Sequence, residues 1–125
     1  MIRSVFYWVS TAIISLMLLL AVTYLTGGPE VAAGFTKVGY PQHLRIVLGF
    51  AKPAAALVLL LPGLARLKEW AYAGVTFALI MATIANRAAG EGPQTWMLPP
   101  IMLAVLAVSY LTRPESRRVE PMEVP

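Results

Sequence analysis

RIVLGFAKPAAALVLLL, Arg45 to Leu61, decides the fold, because one lysine stands in a run that otherwise reads as lipid-soluble helix. At about 1.5 Å per helical residue, Lys52 lies about 12 Å from either end, near the middle of a hydrocarbon core about 30 Å thick. Inserting a central lysine costs about 3 kcal/mol, so something must compensate it or use it. Pro53 follows at once, removing a backbone N–H and displacing the carbonyl of Gly49 four residues back. Arg45, Gly49, Lys52 and Ala56 recur at helical spacing and form one face. That face turns the lysine into a bundle.

Outward from this stretch the chain is equally apolar. Over 125 residues, 58% are hydrophobic and 13% charged, with a mean hydropathy of +0.71, which places the chain among membrane proteins. At about 20 residues per crossing there is room for four spans. The expected fold is all-α, an integral membrane four-helix bundle over residues 1–112, with spans at about 5–26, 44–61, 70–87 and 96–112. Val5 to Leu25 is too long for a signal-peptide core, and no A-x-A site follows it. Tyr7, Trp8 and Tyr24 match an interfacial aromatic belt, and Ser4, Thr11 and Ser15 make a mildly polar face suited to helix contact. Gly27, Gly28 and Pro29 break the first span. Val31, Phe35 and Val38 then fall at helical spacing, and Gly39 and Pro41 end the element, which predicts a short amphipathic helix between the first and second spans. In the third span, Gly74, Ala78 and Ala82 form a small-residue seam that permits close backbone approach or self-association. Residues 113–125 are rich in proline and charge and read as a disordered cytoplasmic tail.

Composition excludes several functions. There is no cysteine, so disulfides, thiolate metal sites and CxxC redox pairs are ruled out. His43 is the single histidine, which cannot supply bis-histidine haem ligation, and no spaced cluster indicates another metal. The net charge of +4 is dispersed at span ends rather than gathered in a stripe, so no nucleic acid is implied. Arg3, Arg66, Lys68, Arg113, Arg117 and Arg118 lie on one side; Lys37, Arg45 and Arg87 lie on the other. By the positive-inside rule both termini are cytoplasmic, and the amphipathic helix faces outward.

Lys52 has no acid on any span. Glu30, Glu69, Glu91, Glu115, Glu120 and Glu123 all fall in loops, span ends or the tail. Three outcomes stay open: Lys52 is uncharged because burial disfavours its ammonium; it snorkels or takes carbonyls freed by Pro53; or it meets a loop carboxylate or a carbonyl-bearing or anionic ligand. Glu30 is the preferred loop partner, because a helix folded over the bundle mouth brings it inward. Arg45, Asn86 and Arg87 end spans on one side and are candidates for a polar rim. The candidate ligand-binding residues are Lys52, Arg45, Glu30, His43 and Asn86, although a structural or solvent-exposed role is the favoured account of His43. No catalytic pair of acid and base is present.

VGYPQHL before the second span, LGFAKP within it and LPGLARLKEWAYAG leading into the third resemble the DoxX-like family of small bacterial membrane proteins. The resemblance implies a four-helix membrane bundle and places Lys52 and Trp70 on family-like positions, adding Trp70 to the candidates. Related proteins include small subunits of quinone-linked oxidoreductases, such as the thiosulfate:quinone system. Family members often carry a histidine near the end of the third helix, where Asn86 stands here. The resulting expectation is an auxiliary subunit of the bacterial inner (cytoplasmic) membrane, without independent catalysis. It would bind a quinone-like ligand, without a covalently held cofactor, for a redox partner protein. A structural or assembly protein acting through lipid or a homo-oligomer is the alternative. A small proton-coupled transporter ranks last, because such exporters use a membrane-embedded carboxylate.

Overall fold

The computed structural model describes residues 1–118 and is helical throughout. In chain order the helices are α1 (Ile2–Leu20), α2 (Thr23–Thr26), α3 (Gly28–Lys37), α4 (Gln42–Leu60), α5 (Ala65–Ala88), α6 (Pro93–Trp96) and α7 (Leu98–Leu111), followed by a 3₁₀ turn at Glu115–Arg117. The four long rods run up, down, up and down. α1 packs most closely on α4 and α7, α7 also packs on α5, and α4 meets α5 less intimately. The shared core is Ile14 and Leu18 from α1, Ala56 and Leu59 from α4, Tyr72, Val75 and Leu79 from α5, and Leu106 from α7.

Among the described residues, three stretches are long and apolar enough to cross a membrane: Ile2–Thr26, Gln42–Leu60 and Pro93–Leu111. Helix α5 spans 24 residues, enough to cross, but it starts earlier than the periodicity predicts and carries Lys68, Glu69, Thr76, Thr83, Asn86 and Arg87. These lower its hydropathy. The outward-facing surface of the bundle, including Phe50, Leu57, Phe77 and Ile84, is apolar and exposed, as lipid-facing helices require.

The turns follow their glycines. α3 ends in a Schellman motif: Gly39 has φ 84°, its N–H bonds Thr36 O at 3.0 Å and Tyr40 N–H bonds Phe35 O at 2.9 Å. Gly90 ends α5 the same way, bonding Arg87 O at 3.0 Å. Between α1 and α2, Ala21, Val22, Tyr24 and Leu25 bond carbonyls three residues back, a tightened turn of 3₁₀ type. Gly49 of α4 lies against this turn. A Cβ there would stand 2.7 Å from Leu25 Cγ.

The expected polar face of the first span is real in part. Thr11 and Ser15 are buried whereas Ser4 is exposed, and Thr11 Oγ1 bonds Ser109 Oγ of α7 at 2.6 Å. Ser109 Oγ in turn bonds the Tyr72 hydroxyl at 2.7 Å, so three helices meet at one hydroxyl cluster. Tyr7, expected in an interfacial belt, is 1% exposed and belongs to the core.

Of the expected tail, residues 113–118 pack against the bundle, with Arg113 and Arg117 buried. Arg113 pairs with Glu69 and lies 3.7 Å from the Tyr110 ring centroid. Arg117 bonds Leu59 O at 2.8 Å and stacks 4.8 Å from the Trp8 ring. Residues 119–125 of the expected tail lie outside the described residues.

Candidate functional site

Lys52 sits at mid-length of α4 and is half-buried. Its Nζ donates to the Tyr24 hydroxyl at 3.1 Å and lies 5.0 Å from the Tyr24 ring centroid. Tyr24 reaches it because the tightened turn at 21–25 sets α2 beside Gly49, where a larger residue would hold the helices apart. Arg45, two turns earlier on the same face of α4, donates to the Tyr24 carbonyl and to Gln42 Oε1 at 2.8 Å. Two cations thus hold one tyrosine, at its backbone and at its hydroxyl.

Two cavities meet at Lys52. The upper one, about 450 Å³, lies beneath α3 and is lined by Tyr24, Phe35, Tyr40, Leu44, Phe77 and Asn86, among others. The lower one, about 570 Å³, runs between α4 and α5 toward Leu67 and Trp70. Leu48, Lys52, Gly74 and Ala78 line both, so they form one continuous groove with the amino group at its waist. The sequence reads Gly74, Ala78 and Ala82 as a seam permitting close backbone approach or self-association. They are instead the wall of this groove: a Cβ on Gly74 would meet nothing within 4 Å.

Helix α3 roofs the upper cavity with the residues predicted from its period: Val31, Phe35 and Val38 all line it. Phe35 packs edge-on to Tyr24, centroids 4.9 Å apart, and 5.9 Å from Tyr40. Burial, and secondarily the neighbouring Tyr24, raises the Tyr40 pKa above its usual 10.0; the hydroxyl is a donor at neutral pH with or without that shift. The roof is tethered: Gln42 Nε2 donates to Ala32 O at 2.9 Å and to Thr36 Oγ1 at 3.0 Å, and Lys37 pairs with Glu91 at 2.8 Å.

The structure does not gather all the sequence candidates. Lys52 and Asn86 line the upper cavity and Trp70 the lower, while Asn86 Nδ2 is turned back to Ala82 O at 2.8 Å. Glu30 and His43 are exposed and line neither cavity, so the carboxylate expected to answer Lys52 is replaced by Tyr24. Folding α3 over the bundle points its apolar face inward and leaves Glu30, on the other face, in solvent. The expected polar rim is also divided, because Arg87 stacks 4.6 Å over Trp96 while Arg45 is held by Tyr24. Tyr24 was read only as an interfacial aromatic; its distance from Lys52 in sequence concealed the pairing.

A second polar centre escaped the sequence reading. Lys68, 1% exposed, donates to Val58 O at 2.7 Å, to Gly63 O at 2.7 Å and to Leu61 O. The ammonium caps the carbonyl end of α4, where the helix dipole is negative. Among the described residues no cluster of three or more His, Cys, Asp or Glu is placed to hold a metal ion. The Lys52 groove offers hydrogen-bond donors and aromatic and apolar walls, suited to a neutral acceptor on an apolar molecule.

The DoxX-like family matches the chain over residues 8–109. No curated protein and no solved structure matches it.

Proposed function

The chain belongs to the DoxX-like family, and from that premise we propose that this small membrane protein holds a quinone-like amphipathic ligand as the auxiliary subunit of a membrane redox system. The supporting observation is Lys52 itself: a donor at the waist of a continuous groove, whose hydrogen-bond partner among the described residues is a neutral hydroxyl. An ammonium has three N–H donors and Tyr24 takes one. A ligand carbonyl in the groove takes another. A quinone suits the depth, because a neutral ring tolerates the middle of a bilayer where a phosphate headgroup would not. Negative charge developing on the carbonyl oxygen during reduction would be stabilised by the ammonium. The electrons come from a partner protein carrying a redox group.

In this reading α5 is the remaining span of a four-span protein of the bacterial cytoplasmic membrane. The end that carries Arg3, Arg66, Lys68, Arg113, Arg117 and Arg118 faces the cytoplasm, as the lysine and arginine bias implies. Quinone binding to the purified protein tests the proposal. Lys52→Met is expected to weaken it about ten-fold or more, the loss of one hydrogen bond from a charged donor. The Tyr24 contact favours a second reading, a structural role in which Lys52 only ties α4 to α2. That reading holds if Lys52→Met leaves binding unchanged and lowers thermal stability or breaks a partner complex.

A further inference from the structure

We propose that the lower cavity is the subsite for the alkyl or polyprenyl tail of the Lys52 ligand, which reaches the site sideways from the bilayer between α4 and α5. This rests on the quinone-like reading above and assigns the remainder of the molecule. Apart from Lys52 at its top and the Trp70 indole N–H, the side chains lining the cavity are apolar. Ala51 and Ala55 on α4 face Ala71 and Gly74 on α5, and this pairing of small residues leaves room for a chain rather than for water. Continuity fixes the occupant: the cavity shares Leu48, Lys52, Gly74 and Ala78 with the vestibule beneath α3. A ring hydrogen-bonded at Lys52 under the aromatic roof has this apolar groove directly beside it for a long substituent.

The direction of access follows from where the groove meets the flank of the bundle. Above Lys52 the groove is roofed by α3, which Gln42 ties to α4 and the Lys37–Glu91 pair ties to the α5–α6 turn. Below Lys52, Ala51, Ala54 and Leu67 are exposed on the flank of the bundle, and Trp70 is 75% exposed. That flank faces lipid. Access is then lateral, from the lipid.

Ala51→Leu provides the test, because Ala51 lines the lower cavity and not the upper and is exposed, so the larger side chain stays out of the packed core. Binding of a decyl-tailed dimethoxybenzoquinone and of its tail-less methyl analogue is measured on the full chain in nanodiscs. Partitioning cancels in each variant-to-wild-type ratio. Ala51→Leu is expected to weaken the tailed quinone about ten-fold, the loss of about two buried methylenes, and to leave the tail-less one within about two-fold. Retained tail-less binding reports that the variant is folded. Equal effects on both quinones, or none on either, overturn the tail subsite while the Lys52 reading stands; a wild-type protein that binds neither quinone removes both. In a second measurement, a diazirine at the end of the alkyl tail is expected to label the peptide around Leu67 to Ala71. Labelling there by a diazirine phosphatidylcholine that excess alkyl quinone does not displace would assign the cavity to a membrane lipid and overturn the proposal.

Discussion

Lys68 and Arg117 donate to the same acceptor, the carbonyl oxygen of Leu61 at the end of α4, Arg117 at 3.3 Å. Two cations converge because the helix end offers several unpaired carbonyls: Lys68 also takes Val58 and Gly63, and Arg117 takes Leu59 and Leu60. A chain leaving α4 through the left-handed residues Gly63 and Leu64 cannot satisfy those groups itself. Lys68→Met removes three charge-assisted bonds and leaves buried carbonyls bare. The expected loss is about 2–4 kcal/mol, read as a lower Tm in detergent.

Two glycines at helical positions should behave oppositely. Gly49 faces Leu25, where a Cβ would stand 2.7 Å from Cγ and 2.7 Å from Cδ2, while a Cβ on Gly74 meets nothing within 4 Å. Gly49→Ala should cost about 1–3 kcal/mol through overpacking, and it should loosen the Tyr24–Lys52 contact that depends on this approach. Gly74→Ala should cost nothing, since alanine is the better helix former. Thermal melts of the two variants side by side decide it.

At Ser109 a small hydroxyl joins Thr11 and Tyr72 across three helices. Ser109→Ala strands both partners in a dry interior, an expected loss of about 1–3 kcal/mol. Adding Thr11→Val and Tyr72→Phe removes the stranded groups and should recover part of that loss. A triple variant no more stable than the single one would mean the cluster is held by packing alone.

Most of the architecture was legible in the sequence because it rests on local signals. The apolar runs gave the rods, Gly39 and Gly90 marked helix ends, and the period of Val31, Phe35 and Val38 revealed the inward face of α3. Lys52 was visible as a charge in an apolar stretch. What escaped depends on partners distant in the chain. Tyr24 meets Lys52 only because Gly49 lets α4 close on α2. Likewise the charged stretch after Thr112 looked solvated because Arg117 finds its acceptors at Leu59 to Leu61, far back in sequence. The Gly74 stripe shows the opposite failure. Small residues at helical spacing signal a permitted close approach, and here neighbouring α4 stands back and the permission becomes a cavity.

The Lys37–Glu91 pair tethers α3 without supporting the fold. Lys37 keeps 64% of its side chain exposed, so solvent and salt screen the attraction, and Lys37→Ala should change global stability by about 1 kcal/mol or less. Its effect should be local. α3 contributes no fully buried residue, and the remaining polar tether is the exposed Gln42 side chain, so opening this helix exposes little core. Amide exchange is then expected to accelerate across Gly28–Lys37 in Lys37→Ala, and at high salt in the wild type, while α4 and α7 keep their protection. Uniform acceleration in all helices would show that the pair stabilises the whole bundle rather than holding the roof.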